Sequence, residues 1–169
     1  MGEEKVKNIG EIKLIAAELK GKKKIVTTNG SFDILHMGHV KTFYDAKEYG
    51  DVLIVGLNSD SSIKAYKSPN RPINNQKDRA LMLAALEMVD YVVIFDELDP
   101  CAFLDVVKPD VHVKSKSGYK GIEKDTVEKN GGKVILLDDE PGYSTTDLIK
   151  RIIDAAEIFH YHIQTPHTT

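Results

Sequence analysis

Two histidines three positions apart are the most chemically informative feature of this sequence. His36 and His39 flank Gly38 and follow the apolar run 24–28 through the polar turn 29–33. Apolar residues then recur with helical spacing, so the histidines are expected to open a helix. The amides and dipole at such a helix start favour negative charge, which predicts a polyphosphate site. Taken alone, the same spacing would also suit a metal pair, a surface position or a packed helix face.

A second group of polar residues follows the last apolar run. Tyr143 is followed by three successive hydroxyls, Ser144, Thr145 and Thr146, before another helical pattern begins. Ser144 and Asp147 have the spacing of a capping box, which explains one of the hydroxyls. The remaining hydroxyls and the amides of a helix start suit the β and γ phosphates of a triphosphate. We therefore expect a second anion site that faces the first.

The segment 58–75 is longer than a usual connection in an α/β protein, where about 2 to 6 residues suffice. It contains Asn58, Asp60, Lys64, Lys67 and the string Arg-Pro-Ile-Asn at 71–74. We interpret it as a lid over a ligand, with a solvated surface excursion as the alternative. Arg79 follows in the first turn of the next helix, where a positive charge opposes the helix dipole. That position suggests an anionic ligand.

The elements that must position these residues alternate along the chain. Strands are predicted near 24–28, 52–57, 91–95, 110–114 and 133–137, and helices at 38–49, 76–88, 99–107 and 121–130. Short Val, Ile and Leu runs separated by helices are typical of buried parallel strands. We predict one α/β domain, a Rossmann-like, doubly wound, five-stranded parallel sheet with helices on both faces. Residues 1–23 form a leading helix, 24–153 the main domain, and 154–169 a helix end and flexible tail.

The amino-acid composition is that of an ordinary globular protein. Of the 169 residues, 41% are hydrophobic and 29% charged, and the net charge is -3, which gives no electrostatic case for nucleic acid or membrane binding. Cys101 is the single cysteine, so an internal disulfide is impossible and it is given no chemistry. No apolar run approaches the length of a membrane span and no secretory signal opens the chain. A cytoplasmic protein is expected.

Three stretches together resemble a known family. Residues 28–58, 71–95 and 131–149 are similar to the HxGH nucleotidyltransferases, in particular the sugar-phosphate branch that includes heptose 1-phosphate adenylyltransferases and glycerol-3-phosphate cytidylyltransferases. The Arg-Pro-Ile-Asn element at 71–74 and the Gly-Tyr-Ser-Thr-Thr string at 142–146 favour the heptose side. The resemblance implies transfer of AMP from ATP to a sugar 1-phosphate such as a heptose 1-phosphate, with release of pyrophosphate. It also implies Mg²⁺ as cofactor and a homodimer.

The resemblance assigns roles to the motif residues. His36, His39 and Arg79 would be catalytic: the histidines would stabilise charge on the α-phosphoryl group, and Arg79 would hold the β and γ phosphates. The implied nucleotide contacts are Asn29, Gly30, Ser31, Phe32, Asp33, Gly38, His39, Asn58, Arg79, Tyr143, Ser144, Thr145 and Thr146. Candidate acceptor contacts are Asp33, Lys64, Arg71, Lys114 and Lys116. Mg²⁺ would be held mainly by the nucleotide phosphates, with Asp33 as the candidate protein ligand.

The sequence departs from the heptose-type pattern after the fourth predicted strand. Relatives of that type have Lys-Gly-Gly-Asp and an aromatic residue, whereas residues 113–120 here read Val-Lys-Ser-Lys-Ser-Gly-Tyr-Lys. The lysines of this segment would either grip an acceptor phosphate or belong to a solvated loop. The acidic residues 138–140 stand where cytidylyltransferase relatives carry an arginine, which disfavours CTP.

Two other functions stay open at this stage. One is a cytidylyltransferase acting on a polyol phosphate or another small phosphorylated or phosphonate acceptor. The other is a nucleotide-binding module without turnover, suggested by the altered segment 113–120. Histidines at 160, 162 and 167 raise the question of a metal site, but no carboxylate or cysteine accompanies them, and a flexible terminus is the preferred interpretation.

Overall fold

The computed structural model describes residues 2–164, with side chains through residue 156. The strands are β1 Val6–Lys7, β2 Ile25–Gly30, β3 Val52–Asn58, β4 Tyr91–Phe95, β5 Val111–Ser115 and β6 Lys133–Leu137. The helices are α1 Ile9–Leu19, α2 Met37–Lys47, α3 Asp60–Tyr66, α4 Gln76–Ala84, α5 Cys101–Val107, α6 Ile122–Lys129 and α7 Thr145–Gln164, and a 3-10 turn covers Glu3–Lys5.

The six strands form one parallel sheet in the order β1-β4-β3-β2-β5-β6. The predicted fold class is confirmed, but the prediction of five strands is wrong by one. The extra strand, β1, has two residues that pair with Val92 and Val93 of β4. Lys5 anchors it by donating hydrogen bonds to the carbonyl oxygens of Leu86 and Val89. Two residues are too few to show a strand pattern in the sequence.

Helices cover both faces of the sheet. On one face, Phe43 of α2 and Leu83 of α4 pack with Val55 and Val92 in a buried cluster. On the other face, α1, α5 and α6 contribute a second cluster that includes Ile12 and Phe103. The leading helix therefore packs in the same core as the sheet.

The strand order determines where a ligand can reach the backbone. From β2 the chain continues through α2 to β3 on one side, while β5 lies on the other side of β2. Neighbouring connections therefore diverge at the carboxyl ends of β2 and β5. In open parallel sheets this switch point leaves a crevice outside the strand ends, which is the usual ligand site.

Two segments differ from the sequence-based expectation. The connection 58–75 contains helix α3, whose start is capped by the Ser59 hydroxyl accepting from the Ser62 amide. The C-terminal helix α7 continues to Gln164, so much of the predicted tail is helical. Residues 165–169, including His167, lie outside the described residues, and only the backbone is described at His160 and His162. Within the described range, no helix is both long and apolar enough to span a bilayer.

Candidate functional site

A cavity of about 630 Å³ opens at the carboxyl end of the sheet, at the switch point. It extends from the start of α2, over the ends of β2 and β3, to the loops before α5 and α6. Its lining residues are Thr28, Asn29, Gly30, Ser31, Phe32, His39, Thr42, Asn58, Tyr66, Leu98, Asp99, Pro100, Lys114, Ser115, Gly118, Lys120, Ile122 and Glu123. Seven of the residues predicted from the sequence are among them: Asn29, Gly30, Ser31, Phe32, His39, Asn58 and Lys114.

The two histidines stack at the start of α2. Their ring centroids lie 3.7 Å apart with an interplanar angle of 20°, and the rings of Phe32 and His39 form a T-shaped pair with centroids 5.2 Å apart. Each Nδ1 is buried and has no hydrogen-bond partner among the described residues. Burial lowers the pKa of His36, and burial together with His36 and Lys67 lowers the pKa of His39 to about 3. Both rings are therefore neutral near pH 7 without a ligand.

The starts of α2 and α7 meet at Gly38. A Cβ at this glycine would lie 3.0 Å from the Cβ of Tyr143 and 3.1 Å from the Nδ1 of His36. The rings of His36 and Tyr143 lie nearly parallel, with centroids 6.5 Å apart. The absence of a side chain at position 38 is therefore what lets the two helix starts approach. The two anion sites expected from the sequence are adjacent, at one edge of the sheet.

The hydroxyl trio at the start of α7 is only partly available. Ser144 accepts a hydrogen bond from the Asp147 amide at 3.0 Å and donates to the Asp147 carboxylate at 2.8 Å, so its hydroxyl forms the expected cap. Thr145 and Thr146 form the first turn of the helix. Their predicted contact with phosphates stays a prediction.

Asp33 has a structural role that differs from its predicted one. It is 1% exposed, and its carboxylate accepts hydrogen bonds from the amides of Ile73 and Asn74 and from Arg71 Nε at 2.7 Å. Burial raises the pKa of Asp33, but these hydrogen bonds outweigh it and hold the pKa below the usual value. Asp33 and Arg71 thus clamp the turn after β2 to the segment before α4. Nη2 of Arg71 has no hydrogen-bond partner among the described residues. The predicted contacts of Asp33 with Mg²⁺ and of both residues with the acceptor stay predictions.

Arg79 is also engaged inside the protein. It is fully buried and donates from Nε to the Asn74 carbonyl, from Nη1 to the Ser31 carbonyl and from Nη2 to Asp60 at 2.7 Å. Arg79 lies in the first turn of α4, where its positive charge opposes the helix dipole, and Asp60 supplies the compensating negative charge. Arg79 thus supports the Ser31 turn in the free protein, and its predicted catalytic contact with the phosphates stays a prediction.

Lys67, which belongs to the segment 58–75 but was not among the predicted acceptor contacts, contacts a cavity-lining residue. Lys67 donates a hydrogen bond from Nζ to the Ser31 hydroxyl at 2.7 Å. Burial, then Arg71 and Arg79, lower its pKa. Lys64, selected from the sequence, is exposed on α3, and neither lysine lines the cavity directly; Lys67 differs by its contact with Ser31. Lys64 lies within α3 and Lys67 follows its last residue, a difference that depends on where the helix ends.

The lysines at the end of β5 and in the following loop differ in whether they line the cavity. Lys114 lines the cavity and donates to the carbonyl and side-chain oxygens of Asn29, both at 3.1 Å. Lys116 is exposed and pairs with Asp138 at 2.6 Å, so its predicted acceptor role is not supported. Lys120, four positions after Lys116, lines the cavity. Glu123, which no sequence motif indicated, contributes a buried carboxylate to the wall.

The family to which this site belongs follows from comparison with known proteins. The model of the cytidylyltransferase-like family matches residues 27–151, which include both helix starts and the sheet between them. The chain belongs to the cytidylyltransferase-like family. The resemblance seen in the sequence is confirmed.

Curated relatives are similar over nearly the whole chain. The chain is 53% identical over 156 residues to the bifunctional protein HldE of Campylobacter concisus and 53% identical over 152 residues to that of Nitratiruptor sp.. The alignments cover 90% and 89% of this chain but 32% of each relative. The chain thus spans about a third of the length of these curated relatives.

Solved structures agree with the fold. A lipopolysaccharide core biosynthesis protein from Thermoplasma volcanium superimposes with a TM-score of 0.58 at 26% identity, covering 70% of this chain and 97% of that one. A pantoate-beta-alanine ligase from Francisella tularensis superimposes with a TM-score of 0.54 at 18% identity, covering 97% of this chain and 81% of that one, and it supports the fold alone.

Replacing Asp33 by Asn is expected to lower the free energy of unfolding by roughly 3 kcal/mol at pH 7, because Arg71 and two buried amides lose their anionic partner. Urea unfolding measures this. The folded-state pKa of Asp33 is lowered, so its contribution is present above the unfolded value of 3.8 and disappears as the pH falls below it. Asp45→Asn, which removes the exposed pair with Lys41, is the control and should cost less than about 1 kcal/mol. Equal losses in both variants would contradict the clamp.

The His39 ring is expected to remain neutral well below the pH at which an ordinary histidine protonates, because its pKa is about 3. Its ring resonances in NMR spectra should not shift between about pH 8 and pH 5, where a free imidazole titrates with a pKa near 6.5. Comparison with His39→Gln assigns the signal. A midpoint near 6.5 would show that the ring is not desolvated.

Proposed function

We propose that the protein is a nucleotidyltransferase that joins AMP from ATP to a sugar 1-phosphate, with a heptose 1-phosphate as the preferred acceptor, and releases pyrophosphate. The observation that carries this proposal is the meeting of two helix starts at Gly38, one bearing the stacked histidines and the other following Tyr143. Both helix dipoles favour negative charge at the same point. A triphosphate is the common ligand whose charge suits both.

The similarities favour a sugar acceptor. The relatives at 53% identity are bifunctional proteins named HldE, and one solved neighbour at 26% identity is named for lipopolysaccharide core biosynthesis. The Arg-Pro-Ile-Asn element, whose amides bind Asp33, and the Gly-Tyr-Ser-Thr-Thr string are the sequence features that favour the heptose side. These points support a heptose 1-phosphate over a polyol phosphate.

The chemistry requires positioning and charge stabilisation more than proton transfer. An oxygen of the acceptor phosphate, already anionic, attacks the α-phosphorus of ATP. The bond from the α-phosphorus to the bridging oxygen breaks, and that oxygen leaves with pyrophosphate. No covalent enzyme intermediate forms. Neutral His36 and His39 donate hydrogen bonds to the phosphoryl oxygens, and the approaching negative charge raises their pKa values.

The acceptor phosphate needs cations on the other side of the α-phosphate. Lys67 lies on the Ser31 turn beside Arg71 and Arg79, and two carboxylates, Asp33 and Asp60, pair with the arginines. Three positive and two negative charges leave one positive charge uncompensated at the cavity rim. The Lys67 ammonium is the group of this cluster that does not pair with a carboxylate within the described residues. We assign it to the acceptor phosphate.

Mg²⁺ enters this proposal with the nucleotide. The described residues contain no group of three or more His, Cys, Asp or Glu side chains able to hold a metal ion, and the Asp33 carboxylate is fully engaged by Arg71 and two amides. The residues fit a metal that is carried by the phosphates themselves. When bound, the ion would screen the repulsion between the triphosphate and the acceptor. The homodimer and the cytoplasmic location expected from the sequence stay predictions.

A panel of nucleoside triphosphates and acceptors tests the reaction. Pyrophosphate release should be fastest with ATP and a heptose 1-phosphate in the presence of Mg²⁺. Faster release with CTP and a polyol phosphate would favour the cytidylyltransferase alternative. Calorimetric binding of ATP without pyrophosphate release from any pair would favour the binding module and contradict the proposed reaction.

His39→Ala is expected to lower kcat by about 10² to 10³-fold, because a hydrogen bond made to the developing charge in the transition state is lost. The KM for ATP should change much less. Steady-state pyrophosphate release separates the two constants. A rise in the KM for ATP at unchanged kcat would place His39 in ground-state binding only.

Lys67→Ala is expected to raise the KM of the acceptor by about 10-fold or more, as for a lost charge-assisted hydrogen bond. Lys64→Ala is the matched control, since it removes the same charge from the exposed side of α3 and should change that KM less than about twofold. Equal effects of the two variants would indicate a diffuse electrostatic role and no direct contact.

A further inference from the structure

The cavity wall contributed by α6 carries a carboxylate to which the proposed reaction assigns no role. Glu123 lies in the first turn of α6, is 3% exposed and lines the cavity that begins at His39. Its surroundings are polar, with Lys114 of β5 and Asn29 of β2 in the same wall. Carboxylates are rarely buried to this degree without partners.

The hydrogen-bonding capacity of Glu123 is unmet. Its nearest cation, Lys114 Nζ, lies 3.8 Å from Oε1, which is an ion pair longer than a hydrogen bond. Oε2 is buried and has no hydrogen-bond partner among the described residues. Lys114 directs two N–H groups to the two oxygens of Asn29. An ammonium has three N–H donors, so one remains.

Charge alone does not satisfy this carboxylate. The positive end of the α6 dipole and the Lys114 ammonium offset its charge, but neither supplies a hydrogen bond. A buried acceptor without a donor costs free energy that a ligand can recover on binding. The terminal torsion of a glutamate is broad, so one oxygen can face Lys114 while the other faces the cavity.

The shape of the gap indicates which ligand group fits it. A carboxylate only accepts and an ammonium only donates, and the two lie 3.8 Å apart. A hydroxyl group donates and accepts at once, so it can bridge Glu123 and Lys114. An amino group of a nucleobase can donate to Glu123 but cannot accept from Lys114, and the carboxylate would repel a phosphate. The pair therefore matches a sugar hydroxyl.

We propose that Glu123, held beside Lys114, is a specificity-determining residue that accepts hydrogen bonds from sugar hydroxyls of a bound substrate. This inference rests on the proposed function and adds a recognition site to it. The hydroxyl comes from either of two sources that share this chemistry, the acceptor sugar or the ribose of the nucleotide. The experiment distinguishes them.

Isothermal titration calorimetry on the full chain measures the effect of each hydroxyl. The probes are heptose 1-phosphate with its monodeoxy analogues, and ATP with 2′-deoxy-ATP and 3′-deoxy-ATP. The wild-type protein should bind at least one deoxy probe about tenfold more weakly than its parent. Glu123→Gln should bind the parent about tenfold more weakly and lose that discrimination. A penalty in the sugar series identifies the acceptor, and one in the ATP series identifies the ribose.

Asp125→Asn is the matched control, because it removes an equal charge from the same first turn of α6 on its exposed side. It should bind and discriminate as the wild-type protein does. Glu123→Asp keeps the charge but moves the carboxylate oxygens away from the ligand, so it should also lose discrimination. This variant provides the test if Glu123→Gln fails to fold. Equal binding of all deoxy probes by the wild-type protein, or full discrimination by either Glu123 variant, overturns the inference.

The readouts keep the two proposals separate. Pyrophosphate release by the wild-type protein tests the reaction, whereas the calorimetric ratios test the hydroxyl site without requiring turnover. Absence of release with intact hydroxyl discrimination would contradict the reaction alone. Release with no discrimination would contradict the Glu123 inference alone.

Discussion

A buried carboxylate organises the site. Asp33 binds Arg71 and the amides of Ile73 and Asn74, and Arg79 continues the network from Asn74 to the Ser31 carbonyl. Together these contacts fix the turn after β2 against the segment before α4. The turn leads directly to the histidine pair, so its position determines where the start of α2 faces. Charged side chains that resemble ligands in the sequence serve here as scaffold.

Within the described part of the chain, the scaffold leaves His39 and Lys67 without a carboxylate partner on the side of the site nearest the Ser31 turn. His39 is neutral because it is buried near another imidazole and a lysine, and Lys67 is held close to two arginines. Both arrangements are unfavourable in the free protein, and a phosphate group relieves both. Electrostatic preorganisation of this kind needs no rearrangement at the moment of reaction. It is consistent with transfer chemistry in which the protein mainly holds anions together.

The sequence predicted the sheet, its helices and the histidine site because apolar periodicity and a compact motif are local signals. It did not predict β1, since two residues carry no period. It also did not reveal the internal partner of Arg79, because the compensating Asp60 lies 19 positions earlier on another helix. Lys67 was named only as part of the segment 58–75, and Glu123 was missed, because the direction in which a short helix or its end faces depends on tertiary packing. The residue types of the motif therefore predicted the location of the site better than they predicted the contacts of individual side chains.

The distribution of unmet polar groups separates site from scaffold. Within the described residues, the buried side-chain atoms without partners are Nδ1 of His36 and of His39, Nη2 of Arg71, Nε2 of His112 and Oε2 of Glu123. His39 and Glu123 line the cavity, and His36 stacks on His39. Each unmet group costs stability in the free protein. Ligand atoms can form hydrogen bonds with the unpaired groups at the cavity. The cost of leaving these groups unpaired is then recovered on binding, so a bound ligand should raise the free energy of unfolding.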